Sequence, residues 1–372
     1  MISFFTAITI FYIIILSLLF LGYCKVNLFI SNSKKPNSQF SIIIPFRNEA
    51  KNIEALLDSI SILDYPKDLF EIIFVNDDSK DESLEIIKSH FYSSNIKIIN
   101  NQRVSNAPKK DAIQTAISHS KFKWIVTTDA DCVVKTSWLQ SLDSFIQNKK
   151  PKLIAAPVTY KVSNKLLDYF QLHDFLSLQT TTAGGFGINM PFMCNGANLC
   201  YSKAVFNEVN GFNGNNNIIS GDDLFMLEKV VIKYPKDVYF LKTLQAVVYT
   251  KPESTINSLY NQRIRWASKT SFYSSFISRI VALVVLLMNT SLVLYLVLAT
   301  MGYLKWDILY GIFLVKFSFD FLFILKSALF FNQTKTLIYF PVSSLIYPLF
   351  IFIISLSSIF FNYRWKGRSF KN

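Results

Sequence analysis

The chain has 372 residues, 51% of them hydrophobic and only 17% charged, with a mean hydropathy of +0.31. That balance is too apolar for an ordinary soluble enzyme and too mixed for a pure transporter, while the length admits one catalytic domain plus extra segments. The net charge of +13 sits largely beside apolar runs, so anionic headgroups explain it better than nucleic acid, for which no arginine-rich or RNP-like segment is present.

Residues 1–25 read as a transmembrane anchor. Ile2 to Cys24 carries no charge and is long enough to cross a hydrocarbon core of about 30 Å. It lacks a positive n-region and a small-residue cleavage site, so it is not a signal peptide. Lys25, Lys34 and Lys35 follow it. They place the downstream domain on the cytoplasmic side of the cell's inner membrane.

Residues 39–255 alternate short β-branched runs with helical patterns. Phe40 to Ile44, Phe70 to Val75, Ile96 to Ile99, Trp124 to Thr128 and Leu153 to Pro157 read as strands. Ala50 to Ser61 and Glu82 to Tyr92 read as helices, the second opened by a capping-box spacing in Ser79-Lys80-Asp81-Glu82. This order predicts an α/β, Rossmann-type domain with a mostly parallel sheet and its ligand off the carboxyl ends of the strands. Leu166 to Leu178 reads as a helix on which His173 is structural, and Thr182-Ala183-Gly184-Gly185-Phe186-Gly187 as a flexible loop.

Residues 256–278 read as an interfacial amphipathic segment, 279–361 as a C-terminal membrane region and 362–372 as a basic tail. Ile280 to Tyr303 and Leu337 to Phe361 are spanning candidates. Ile308 to Leu325 contains Lys316 and Asp320 at i, i+4, a pair that either locks helices together or lines an acceptor path. Three full spans would export the basic tail, against the preference of positive residues for the inside. Two or three spans are therefore expected, with Ile308 to Leu325 the candidate re-entrant or interfacial segment. Cys24, Cys132, Cys194 and Cys200 form no C-x-x-C pair, and His90, His119 and His173 are scattered, so free thiols and no zinc site are expected.

The expected strand ends are rich in carboxylates: Pro45-Phe46-Arg47-Asn48-Glu49, Asn76-Asp77-Asp78-Ser79 and Asp129-Ala130-Asp131. Acidic groups converging on one sheet edge are costly without a cation or hydrogen-bonding ligand. A D-x-D turn suits Mg²⁺ or Mn²⁺, which keep positions for substrate phosphates. The competing readings are that Asp77 or Asp78 caps the following helix and that Asp222 caps the helix through Val231.

From Gln39 to Lys269 the sequence resembles the family 2 glycosyltransferases of GT-A fold, in the membrane-integrated branch that includes poly-N-acetylglucosamine and hyaluronan synthases and ceramide glucosyltransferases. Ser41 to Glu49 is similar to the family's opening strand and loop, and Val75-Asn76-Asp77-Asp78-Ser79 to its uridine-binding turn, with Asn76 in place of the usual Asp. The resemblance implies donor binding by Pro45, Glu49, Asp77, Lys109, Asp129 and Arg265, with Lys110 able to share the role of Lys109. It implies a metal held by Asp131 and Asp129. Gly221-Asp222-Asp223 matches the acidic pair, with Asp223 the general base and Asp222 beside it. Asn195 and Gly196, in Asn195-Gly196-Ala197-Asn198, would line the acceptor cleft. Gln262-Arg263-Ile264-Arg265-Trp266 matches the branch's Q-x-x-R-W motif, giving acceptor contacts at Gln262 and Trp266. For Arg263, Arg265 and Trp266 the competing reading is interfacial anchoring. Trp365-Lys366-Gly367-Arg368 is similar to tails of the branch.

The implied activity is inverting transfer of a hexose or N-acetylhexosamine from a UDP-sugar to a lipid or growing polysaccharide at the cytoplasmic membrane face. A small membrane partner subunit is an expected companion if the product is a polymer. The alternative is a non-catalytic membrane scaffold subunit of a polysaccharide assembly complex; it is opposed by the intact set Asp129, Asp131, Asp223 and Arg265.

Overall fold

The computed structural model describes residues 2–31, 35–90 and 95–370. In chain order these form α1 (Ile2–Lys25), β1 (Phe40–Phe46), α2 (Ile53–Ser61), β2 (Phe70–Asn76), α3 (Ser83–His90), β3 (Ile96–Asn100), α4 (Pro108–His119), β4 (Trp124–Thr127), α5 (Trp138–Lys149), β5 (Leu153–Ala155) and β6 (Val158–Tyr160). There follow α6 (Leu166–Gly187), β7 (Leu199–Ser202), α7 (Lys203–Glu208), α8 (Asp222–Lys233), β8 (Val238–Phe240), β9 (Val248–Thr250), α9 (Ile256–Ser268), α10 (Phe276–Thr300), α11 (Trp306–Phe330), α12 (Phe340–Phe360), β10 (Tyr363–Trp365) and β11 (Arg368–Phe370). They divide into a sheet unit, Val26–Lys161 with Pro191–Lys251, and a helical unit, Met1–Lys25 with Val162–Met190 and Pro252–Asn372.

The sheet unit is built on a seven-stranded sheet of order β3-β2-β1-β4-β7-β5-β8. β1 lies parallel to β2 and β4, β2 to β3 and β5 to β8, while β7 alone runs against its neighbours. The mostly parallel α/β sheet expected from the sequence is the one observed. Phe40, Ile42, Ile43, Ile44, Phe74 and Val75 are fully buried, as strands covered on both faces require. Register aligns Phe46 with Asn76, so the turns after β1 and β2 leave the sheet side by side.

One local expectation fails. α3 starts at Ser83, and no capping box forms at Ser79. Asp81 does the work instead: one carboxylate oxygen accepts the Ser83 N–H (3.2 Å) and the other the Ala50 N–H (2.9 Å). Ser79 donates its N–H to Asn76 Oδ1 (2.9 Å), closing the turn after β2. The expected end of this helix, Tyr92, lies outside the described residues.

Among its described residues the helical unit holds four helices long and apolar enough to cross a membrane: Ser3–Lys25, Phe276–Thr300, Trp306–Phe330 and Thr334–Phe360. Ile308 to Leu325 lies inside unbroken α11, where Lys316 and Asp320 pair as their spacing predicts. Gly184, Gly185 and Gly187 belong to α6 and not to a loop. The reason is packing against α1: a Cβ on Gly22 would sit 2.1 Å from the Gly184 carbonyl oxygen, and one on Gly187 would sit 1.8 Å from that of Gly22. Contact between helix backbones selects glycine there despite its poor helix propensity. The tail forms a hairpin, β10–β11, whose two-residue loop uses Lys366 (φ 49°) and Gly367 (φ 77°). Those angles match the primed turn that hairpins favour. Tyr363 is buried with Ile264 and Ile354.

Candidate active site

In the sheet unit the expected site residues lie at the end of β1, in the turns beyond β1, β2 and β4, at the start of α4, just ahead of β7 and at the start of α8. Lys109, in the first turn of α4, brings three of these together. Its ammonium lies 2.6 Å from Asp129 Oδ1 and 3.5 Å from Asp222 Oδ2. Burial opposes its charge, but Asp129 and then Asp222 outweigh that and hold the Lys109 pKa well above the ordinary lysine value.

Asp223 is fixed from two sides. Its Oδ2 accepts the Gly196 N–H (3.0 Å) and its Oδ1 the N–H of Leu224 (2.8 Å). Gly196 is held in turn by Thr127, whose hydroxyl donates to the Gly196 carbonyl (2.7 Å). A Cβ on Gly196 would approach Asp222 Oδ2 to 3.0 Å and Lys109 Nζ to 3.4 Å, so the backbone here comes closer to the charged groups than a side chain allows. Asn195 accepts the Ala197 N–H (2.9 Å) and caps the short turn, while Asn198 is buried between Trp138, Pro157 and Ala246. The cap of α8 is Gly221 at φ 86°, not Asp222.

Asp77 is not a helix cap. Its Oδ1 accepts from Asn101 Nδ2 (2.7 Å) and lies 3.5 Å from Arg103 Nη1. Arg103 also meets buried Asp111 at 3.3 Å, and Arg47 donates to the Asp78 carbonyl (2.7 Å). Pro45 pairs with Val75 in the sheet. Glu49 is buried; it accepts from Asn52 (3.0 Å) and donates its N–H to Ser83 Oγ (2.7 Å), tying the start of α2 to that of α3. Asn101, Arg103 and Thr127 were not expected from the sequence, because single polar residues outside a motif give no periodic signal. Lys110 does not share the role of Lys109. It is buried, donates to the carbonyls of Asn215 and Ile218 (2.8 Å each) and lies over the Phe225 ring.

A divalent cation fits the chemistry of the turn after β4. Asp129 and Asp131 offer hard oxygens, and Asp129 already draws an ammonium to 2.6 Å. Among the described residues no three His, Cys, Asp or Glu side chains cluster closely enough to hold an ion by themselves. One or two carboxylates completed by phosphate oxygens is the usual arrangement for Mg²⁺. Burial, then Asp131 and Asp129, push the Cys132 thiol well above its ordinary pKa; it is a neutral neighbour and not a soft ligand.

Within the helical unit, Q-x-x-R-W lies on α9 and is held by residues outside the motif. Gln262 donates to Glu253 (2.9 Å), and Arg263 pairs with Asp174 at 2.7 Å, both partners about 6% exposed. The Arg263 guanidinium lies 4.2 Å from the centre of the Trp266 ring, and that of Arg265 lies 5.0 Å from Trp365. Arg265 Nε is buried without a hydrogen-bond partner among the described residues. Arg263 is thus a buried ion-pair partner, in place of the interfacial anchor weighed for it.

Residues 41–208 match the model described as Glycosyl transferase family 2. The chain carries a domain of that family, on a GT-A-like sheet. Glycosyltransferase AglE of Haloferax volcanii is 27% identical over 187 residues, which cover 50% of this chain and 58% of the relative. The poly-beta-1,6-N-acetyl-D-glucosamine synthase of Staphylococcus epidermidis is 23% identical over 239 residues, covering 61% and 53%. Poly(ribitol-phosphate) beta-N-acetylglucosaminyltransferase TarS of Staphylococcus aureus is 30% identical over 108 residues, covering 29% and 19%. The chain thus spans from about a fifth to somewhat over half the length of these curated relatives. The mannosyltransferase PcManGT of Pyrobaculum calidifontis, solved with GDP-Man and Mn²⁺, shares the fold with a TM-score of 0.53 at 15% identity, over 93% of this chain and 99% of that one.

Proposed function

We propose that the chain is a membrane-anchored, inverting glycosyltransferase. It takes a hexose or N-acetylhexosamine from a UDP-sugar and delivers it to a lipid or growing polysaccharide at the cytoplasmic face. The observation that carries this reading is the ammonium of Lys109 between Asp129 and Asp222, at 2.6 and 3.5 Å. It joins the D-x-D turn to the acidic pair in one charged cluster.

In this reading Asp77, steadied by Asn101 and Arg103, accepts from the uracil. Lys109 presents positive charge to the diphosphate, where donors aimed at developing charge act most strongly. Asp131 and Asp129 would hold Mg²⁺ or Mn²⁺, which when bound neutralises the departing diphosphate. Asp223, oriented by the Gly196 N–H, takes the proton of the acceptor hydroxyl as that oxygen bonds to the anomeric carbon and the bond to the diphosphate breaks. A single displacement inverts the anomeric centre. Asn195, Gly196, Gln262, Arg265 and Trp266 enter through the sequence resemblance, with acceptor roles for all but Arg265.

The test is incubation of membranes holding the full chain with labelled UDP-glucose and UDP-N-acetylglucosamine, with and without chelator. One shifted lipid band supports a lipid acceptor and a ladder supports a polymer, either with an inverted linkage by proton coupling. Absence of transfer from any nucleotide sugar, in preparations that still bind UDP, overturns the catalytic reading.

A further inference from the structure

The helical unit holds a partly open cavity of about 80 Å³, with room for groups on the order of several waters. Its lining contains two carboxylates, and both are matched in the same way. Asp320 takes a hydrogen bond from Tyr12 (2.6 Å) on one oxygen and the Lys316 ammonium on the other. Asp174 takes one from Tyr347 (3.1 Å) and pairs through its other oxygen with Arg263 at 2.7 Å. Each negative charge therefore has its own cation, and each tyrosine proton is already given to a carboxylate.

The remaining polar lining, Ser177, Thr181, Ser343, Ser344 and His173, offers hydroxyls and an imidazole and no further acidic or basic side chain. Ser177 donates to the Asp174 carbonyl (2.7 Å) and Ser344 to the Pro341 carbonyl (3.0 Å). These bonds leave hydroxyl lone pairs to accept from an occupant. His173, bonded to Ser343 at 2.8 Å, is lowered by burial to a pKa of about 4, so it adds no charge near neutrality. An anion here would face carboxylates and lone pairs with the cations already matched. A cation would find no unmatched negative charge. What the lining accepts is a donor without charge, and Leu16, Phe170 and Phe340 supply apolar walls beside it.

We propose that this cavity binds an uncharged hydroxyl-bearing group, the head of a neutral lipid or a free sugar. The first source suits membrane-length helices. That the occupant is the acceptor rests on the function proposed above; that it binds does not.

The full chain in phosphatidylcholine nanodiscs is titrated with labelled 1,2-dioctanoylglycerol, n-octyl β-D-glucoside, dioctanoyl phosphatidate and free glucose. The expected result is saturable binding of the two neutral amphiphiles, at least tenfold tighter than phosphatidate. Tighter binding of glucose than of either keeps the chemistry and makes the source a free saccharide. Ser177→Ala combined with Ser344→Ala, which removes two hydroxyl acceptors from the lining, should weaken binding about tenfold with the melting profile retained, and Ser344→Leu should abolish it. Asp223→Asn should bind as the parent does. Phosphatidate binding as tightly, or no saturable neutral ligand, overturns the proposal. Saturable neutral-ligand binding by a chain that transfers no sugar upholds this proposal and overturns only the catalytic reading.

Discussion

The Lys109 ammonium lies 2.6 Å from Asp129 Oδ1, tying the first turn of α4 to the D-x-D turn. Since its pKa is raised, its charge is fully present below the free lysine value of about 10.4 and is lost only as pH rises through the higher folded value. UDP affinity should therefore show no loss from this group between about pH 6 and 9. A hydrogen bond to a charged group contributes about 1.5–3 kcal/mol, so Lys109→Met should weaken UDP binding on the order of 10- to 100-fold by calorimetry. Parental affinity in that variant would remove Lys109 from the donor site.

Asp223 accepts one N–H from Gly196 and one from its own helix. An amide oxygen can accept the first of these, so Asp223→Asn should preserve the fold and UDP binding. It should lower kcat by about 10²- to 10⁴-fold, the range for a lost general base. Full turnover in that variant, measured on labelled acceptor, would make another group the base.

The sheet was legible because its central strands are continuous β-branched runs between turn residues, and Phe40–Phe46 and Phe70–Asn76 fall where those runs end. The acidic turns were legible as motifs. What failed was local chemistry that packing decides. Ser79 fits a capping box, yet Asp81 accepts the amides of both Ala50 and Ser83. Lys110 has the same chemistry as Lys109, but helical rotation points it to the carbonyls of Asn215 and Ile218. Asp174 lies far from Arg263 in sequence, and no spacing rule connects them. The Lys366-Gly367 loop of the tail hairpin did carry a turn signal, with glycine at a positive φ.

Arg263 and Asp174 are both about 6% exposed and 2.7 Å apart. Removing one partner of a buried pair leaves an uncompensated charge and costs about 3–5 kcal/mol, whereas removing both is far milder. Arg263→Met should lower the detergent melting midpoint clearly, and Asp174→Asn with Arg263→Met should recover much of the loss. Equal midpoints for single and double variants would show that the pair is not coupled.

Gly184 tests the contact between α1 and α6. A Cβ there would stand 2.3 Å from the Leu19 carbonyl oxygen, a backbone atom that no rotamer change can move. Gly184→Ala therefore has to separate the two helices, and overpacking of this kind costs about 1–3 kcal/mol or more. Gly311 in α11 is the matched control, since nothing lies within 4 Å of the position its Cβ would take. There the same substitution gains helix propensity of up to about 1 kcal/mol. Thermal melts of the purified chain should move in opposite directions, down for Gly184→Ala and level or up for Gly311→Ala. If both melt like the parent, α1 and α6 do not meet through their glycines.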